Sequence, residues 1–199
     1  MNETILDTDY FASDQHFDNL YPKRMQQLSG KHWTPVRIAA TAAAFLAEQP
    51  GSRILDIGSG IGKFCLTAGH FHADSHFYGV EQRKKLIELA DKAKRRTDIE
   101  NATFIHRNFT QLDLNKFDHF YFYNSFYENL VDEEFHIDES IDYSLSLYEY
   151  YTHYLFKALE GKPRGTKLAT YHSFREVVPP GYRLVENQQN TLLRCWIKE

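Results

Sequence analysis

Cysteine is nearly absent: Cys65 and Cys195 are the only two in 199 residues. They are too few and too far apart for a zinc-ligand spacing or a disulfide framework, so they read as two reduced thiols. Long apolar runs are missing too. The longest, residues 38–47, is interrupted by Thr41 and is far short of the roughly 20 residues that span a bilayer. The first ten residues carry Glu3, Asp7 and Asp9 without an apolar core, which does not fit a secretory signal. There is no basic excess: 23 Lys and Arg stand against 27 Asp and Glu, a formal charge of -4. Phosphate contacts dominate nucleic-acid affinity, so this balance argues against a nucleic-acid partner. No repeat, low-complexity tract or composition shift marks a domain boundary. The expectation is a cytoplasmic protein with no membrane segment.

What is present is apolar and aromatic. Hydrophobic residues make up 42% of the chain, with 15 Phe and 13 Tyr, enough for one sizeable core. Residues 1–32 read as an N-terminal arm with a short helix opened by Pro22 and ended at Gly30. Residues 33–199 read as a single domain. Thr34-Pro35 signals a helix start, with a capping hydroxyl and then proline at the first helical position. That helix would bury Ile38, Ala42 and Phe45 and stop at residues 49–51.

Beyond it, short strands alternate with helices. Strands are expected at residues 53–57, 76–80, 103–106, 117–123 and 167–171, and helices at 61–69, 83–96 and 140–159. This spacing implies parallel βαβ units with helices on both faces. At the end, residues 182–186 and 192–197 flank a polar turn at 187–190 and form an antiparallel hairpin.

The segment Ile54-Leu55-Asp56-Ile57-Gly58-Ser59-Gly60-Ile61-Gly62 follows a strand and opens a helix, the context of a nucleotide-binding turn. Glycines let the chain turn sharply and a ligand approach without meeting a Cβ. The spacing departs from a dinucleotide fingerprint: its sixth position holds Lys63, and the third glycine comes one residue early. No Gly-Lys-Ser/Thr follows, so a Walker loop is absent. Asp56 precedes the loop, where a carboxylate would repel a pyrophosphate and suit a cationic ligand. Tyr78-Gly79-Val80-Glu81 ends the second strand with another carboxylate, able to accept from both hydroxyls of a ribose. Asp56 and Glu81 then face one crevice at adjacent strand ends.

These residues resemble the Rossmann-like, class I S-adenosylmethionine-dependent methyltransferases over roughly residues 33–199. The resemblance implies a three-layer sandwich around a mostly parallel seven-stranded sheet of order 3-2-1-4-5-7-6, with the seventh strand antiparallel. It implies S-adenosylmethionine as cofactor, held by Asp56, Gly58, Ser59, Gly60 and Gly62 at the methionine end. Glu81 and Gln82 would lie at the ribose. The segment after the third strand would contact adenine; here it reads His106-Arg107-Asn108-Phe109, with Asn108 in place of the usual acid. Trp33 would close the pocket from the N-terminal side. The rivals are a nicotinamide-dependent oxidoreductase and a non-catalytic S-adenosylmethionine-binding domain.

Methyl transfer needs alignment and a dry site rather than a triad. Acceptor-side groups are expected after the fourth strand, in Tyr123-Asn124-Ser125-Phe126-Tyr127-Glu128. The Asn-Pro-Pro-Tyr of base-specific amino methyltransferases is not there. Asn124-Ser125-Phe126 is similar to the Asn-Asn-Phe of the non-SET histone lysine methyltransferases, which implies that Asn124 orients the acceptor. Tyr127 and His172 are candidate proton acceptors. The acceptor is expected to be a protein, through a lysine, or a small molecule.

Three further features read as ordinary surface. The acids Glu128, Asp132, Glu133, Glu134, Asp138, Glu139 and Asp142 suit a solvated helix start better than a lid drawing in a cationic substrate. Arg83, Lys84, Lys85, Lys92, Lys94, Arg95 and Arg96 read as a solvated basic helix face. His70, His72 and His76 span a helix end, a loop and a strand start, so no metal site is expected there.

Overall fold

A computed structural model describes residues 9–188 and 192–199, with the side chains of residues 186–188 left out; most of the 1–12 arm and part of the hairpin turn lie outside this range. Seven strands form one sheet in the order β3-β2-β1-β4-β5-β7-β6, the order that the resemblance implied. The strands are β1 (Arg53–Ile57), β2 (His76–Glu81), β3 (Ala102–His106), β4 (His119–Phe122), β5 (Lys167–Tyr171), β6 (Tyr182–Gln188) and β7 (Leu193–Lys198). The first five run parallel, and β7 pairs antiparallel with both β5 and β6. The central strands are buried on both sides: Ile54, Leu55 and Ile57 of β1 and Phe120 and Phe122 of β4 are almost wholly enclosed. Such continuous apolar runs are what a parallel sheet between helical layers requires.

Among the described residues, seven α-helices accompany the sheet: α1 (Asp14–Asp18), α2 (Lys23–Gln26), α3 (Ser29–His32), α4 (Val36–Leu46), α5 (Lys63–Phe71), α6 (Lys84–Thr97) and α7 (Leu145–Glu160). One core cluster joins α1 and the residues around it to α4, α5 and α6. The other joins α7 to the aromatic faces of β4, the 109–117 turns and the hairpin. Leu155 and Leu159 of α7 are fully buried there with Phe120 and Trp196. The two clusters on opposite faces of the sheet make the third and first layers of the sandwich.

Several element boundaries depart from the sequence reading for physical reasons. The helix expected from Pro22 to Gly30 is two helices, α2 and α3, and Gly30 lies inside the second. The helix at Thr34-Pro35 starts one residue later than expected, with Pro35 at the N-cap. Its cap comes from 22 residues upstream: the Val36 N–H donates to Asp14 Oδ1 at 2.8 Å, while the Thr34 hydroxyl bonds the Tyr121 hydroxyl at 2.9 Å. Phe45 is only partly buried; Ala43 and Leu46 complete the buried stripe with Ile38, Ala39 and Ala42. The last long helix starts at Leu145 rather than Ser140, because Ser144 caps it by accepting from Leu147 N–H.

The N-terminal segment folds onto this core. Phe11, Phe17, Leu20 and Tyr21 are buried in the same cluster as Ala39, Ile61 and Phe64. Among the described residues, no helix is long and apolar enough to cross a membrane.

Candidate active site

The glycine loop connects β1 to α5 at the C-terminal edge of the sheet. Gly58, Gly60 and Gly62 have φ of 76°, 53° and 84°, a region that costs a residue with a Cβ dearly. The surroundings add a second constraint. A Cβ on Gly58 would overlap the Ser125 side chain, and one on Gly62 would overlap Phe104. A Cβ on Gly60 would meet nothing within 4 Å, so it would project into open space.

That space is a cavity of about 660 Å³, within the usual size of a small-molecule site. The structure brings all but one of the expected site residues to its wall: Asp56, Gly58, Ser59, Gly60, Glu81, Gln82, Asn108, Phe109 and Trp33, with Asn124, Tyr127 and His172 on the side expected for the acceptor. Gly62 is the exception. It shapes the start of α5 from below, against Phe104 and Ala90.

The two carboxylates stand at neighbouring strand ends, since Ile57 pairs with Val80 across β1 and β2. Glu81 is buried but well held. One oxygen accepts from Arg83 N–H at 2.8 Å and the other from Gly60 N–H at 3.2 Å. Burial raises its pKa, and the Arg83 charge and these backbone bonds pull it back. Its remaining lone pairs are oriented before any ligand arrives. Burial raises Asp56 well above the usual carboxylate range, with the Cys65 thiol, 3.8 Å away, opposing and Glu81 adding to the rise. A cationic ligand group beside Asp56 would offset that burial.

The adenine end is arranged differently from expectation. The Asn108 amide oxygen, expected to accept from an adenine amino group, already accepts from both N–H and hydroxyl of Thr110 at 3.1 and 3.0 Å. Its amide nitrogen donates to Gln82 and to the Tyr151 hydroxyl. Asn108 thus organises the turn, and Phe109 lines the cavity with its ring stacked on Phe126, centroids 5.2 Å apart.

On the acceptor side, Asn124 and His172 end the adjacent strands β4 and β5 with φ of 38° and 49°. Left-handed backbone at non-glycine residues persists where the surroundings enforce it, and it clusters at functional sites. At Asn124 the Ser173 hydroxyl oxygen helps to hold it, accepting from Asn124 N–H at 3.0 Å. Ser125, the departure from Asn-Asn-Phe, donates to Ile57 C=O at 2.6 Å and packs on Gly58. The two positions therefore depend on each other.

Four groups were not legible as parts of this site. Lys63 is 2% exposed and pairs with Asp14 at 2.7 Å and Asp18 at 2.9 Å, its ammonium above the rings of Phe17 and Trp33. Tyr21 donates to Ile61 C=O inside the glycine loop at 2.8 Å. Arg83, read as part of a solvated basic face, is 5% exposed and caught among Glu81, Glu128, Asp138 and the Tyr143 hydroxyl. Two of the seven acids are engaged: Glu128 bonds Arg83 at 2.6 Å and accepts from Ile137 N–H at 2.7 Å, and Asp138 lies 3.6 Å from Arg83, while Asp132, Glu133, Glu134, Glu139 and Asp142 are exposed as expected. His32, at the end of α3, lines the same cavity, and burial lowers its pKa. The histidines weighed for a metal are engaged separately: His70 stacks on Phe11, and His76 bonds the Thr103 hydroxyl.

A glycine cradle at the β1 end, a held carboxylate at the β2 end and this strand order make the Rossmann-like fold of class I methyltransferases. The comparisons with known proteins agree. Residues 48–142 match the family of methyltransferase domains. A curated relative, a 23S rRNA (uracil(1939)-C(5))-methyltransferase of Pectobacterium carotovorum, is 38% identical over 72 residues, 36% of this chain and 16% of that protein. The match to an arsenite methyltransferase of Halobacterium salinarum is 39% over 62 residues, also 16% of that protein. The matched stretches thus span about a sixth of these relatives. In fold the chain is similar to an O-methyltransferase of Thermotoga maritima, with TM-score 0.56, 14% identity, and coverage of 89% of this chain and 71% of that one. An RNA methyltransferase of Salinibacter ruber, solved with S-adenosylhomocysteine, gives TM-score 0.54 at 16% identity, covering 83% and 92%.

Proposed function

We propose that this protein transfers a methyl group from S-adenosylmethionine to a nucleophile, in a small molecule or a protein, presented beside Asn124 and Tyr127. The reading rests on one observation: a continuous cavity runs from Gly60 and Glu81 to Asn124 and His172, so both reactants share one enclosed space. When bound, S-adenosylmethionine supplies an electrophilic methyl whose carbon–sulfur bond breaks with its electron pair going to sulfur. The chain's own contribution is alignment and exclusion of water. Glu81 holds the ribose, Asp56 offsets positive charge, and Phe109 covers the adenine. The strand-end geometry of Asn124 fixes where the acceptor sits. Two buried carboxylates facing the cavity disfavour the pyrophosphate of a nicotinamide cofactor. RNA also appears in the names of two relatives above, so the net charge by itself does not decide the acceptor.

Calorimetric titration with S-adenosylmethionine, S-adenosylhomocysteine and NAD tests the cofactor. Micromolar binding of the adenosyl ligands without NAD is expected; NAD alone binding would replace this reading with the oxidoreductase. Cofactor binding without methyl transfer to any acceptor would leave a binding domain. Glu81→Ala should weaken the adenosyl ligands by about one to two orders of magnitude, because hydrogen bonds to a charged group contribute roughly 1.5–3 kcal/mol. Unchanged affinity would remove Glu81 from the site.

A further inference from the structure

The acceptor half of the cavity has a composition that the sequence did not reveal. Its walls carry the rings of Trp33, Tyr123, Tyr127, Phe135, His172 and Phe174. Tyr127, Phe135 and Phe174 remain 45%, 44% and 48% exposed, so rings also form the mouth. Among the described residues, the carboxylates on the cavity wall are Asp56, Glu81 and Glu128. The first two belong to the cofactor end. Glu128 alone faces the acceptor, and both of its oxygens are taken, by Arg83 and by Ile137 N–H. Lys31 adds positive charge at the rim, its ammonium 5.5 Å from the Phe135 ring centroid.

Building on the methyltransferase reading, we infer that the acceptor is an uncharged planar small molecule, a phenol or an aromatic nitrogen heterocycle, rather than a lysine side chain. A lysine side chain would enter past Lys31 at the rim and, among the described residues of the acceptor wall, would meet only Glu128, already engaged by Arg83 and Ile137 N–H; the exposed acids Asp132, Glu133 and Glu134 lie off that wall. Burying such a charge without a partner is strongly unfavourable. Aromatic cages do bind cations, but here Lys31 already stands over the Phe135 ring at the rim and opposes a second one. An uncharged ring suits every wall: it stacks on exposed aromatics at little ordering cost. The same pocket offers His32, whose pKa is lowered by burial, as a group able to take an O–H or N–H proton.

The test uses the full chain saturated with S-adenosylhomocysteine, so that failure of cofactor binding is seen first and separately. Saturation-transfer NMR is then run with phenol, 2-naphthol, 8-hydroxyquinoline and indole on one side. On the other side are n-butylamine and a lysine-containing peptide. Binding of at least one uncharged ring, with no binding of either amine, is the expected result. Phe174→Ala and Phe135→Ala should each weaken the ring by about tenfold, with S-adenosylhomocysteine affinity retained as proof of folding. Failure of all four ring compounds on the loaded protein would overturn the inference, as would binding of the peptide in preference to them.

Discussion

Gly58, Gly60 and Gly62 all hold positive φ, yet a methyl group added to each would meet different surroundings. At Gly58 and Gly62 it would strike Ser125 or Phe104. Left-handed strain and overpacking then add, and alanine should cost about 2–5 kcal/mol of stability. At Gly60 only the strain applies, about 1–2 kcal/mol, but the new methyl occupies ligand space. Gly60→Ala should therefore fold and lose about tenfold or more in S-adenosylhomocysteine affinity. Urea unfolding and calorimetry on the three variants separate the effects; equal binding losses with equal stability losses would mean that the loop acts only as scaffolding. His119 offers a second residue-scale test. Its ring is buried, Nδ1 accepts from Lys167 N–H at 3.1 Å, and burial first, then the Lys167 charge, lowers its pKa from 6.5. Its folded-state pKa lies below the unfolded one, so the unfolded chain binds the proton first as pH falls. The stability is fully present above about 6.5 and is lost as pH drops from there through the lowered native value. His119→Asn keeps an acceptor without a titrating ring. The wild type should lose more stability than this variant between pH 7.5 and 5.5 in urea midpoints, and parallel losses would clear His119 of the effect.

At the scale of elements, what the sequence revealed depended on how far away each partner lies. The strand ends were legible because Asp56, the glycines and Glu81 declare themselves within a few residues of a hydrophobic run. The N-terminal helices were not, because their reasons lie far along the chain: Asp14 caps α4 and pairs with Lys63, and Tyr21 reaches Ile61. Lys63 looked like a glycine missing from a fingerprint; it is the anchor that fastens α1 over the loop. Arg83 looked like one more charge on a basic helix. Its position beside Glu81 gathers the acidic segment against the cofactor end. Periodicity registers which face of a helix is apolar, not which charge another segment will bury. The N-terminal arm and short helix, read at 1–32 as separate from the domain, pack on it from residue 9 onward through Phe17 and Tyr21, and we propose that residues 9–32 are integral to the site. Lys63→Ala should cost about 3 kcal/mol, the low end for breaking a buried ion pair, because Asp14 is half exposed. Amide exchange in residues 14–32 should accelerate while the β6–β7 hairpin keeps its rate. Uniform acceleration would instead mean that α1 contributes only global stability.

The whole molecule is a sheet whose ligand crevice is walled by two segments distant in sequence: α2, α3 and the residues that follow them before the sheet begins, and residues 123–137 between β4 and α7. The strand order came from the resemblance and the hairpin from local alternation, and both are present. The closure could be read from neither, since it is built from long-range charge pairs. A consequence follows for ligand binding. A ligand that binds only the native state at 100 times its dissociation constant adds about 2.7 kcal/mol. For a chain of this size that is about 5–10 °C in Tm, expected with S-adenosylhomocysteine and not with NAD. The distribution of that gain is the sharper measurement. If the closing segments grip the ligand, amide protection should rise at residues 14–33 and 124–138 as well as at 56–62 and 81–83, and stay level in β6 and β7. Protection confined to the glycine loop and Glu81 would leave the covering segments as walls that the ligand does not tighten. Their buried pairs would then serve folding rather than binding.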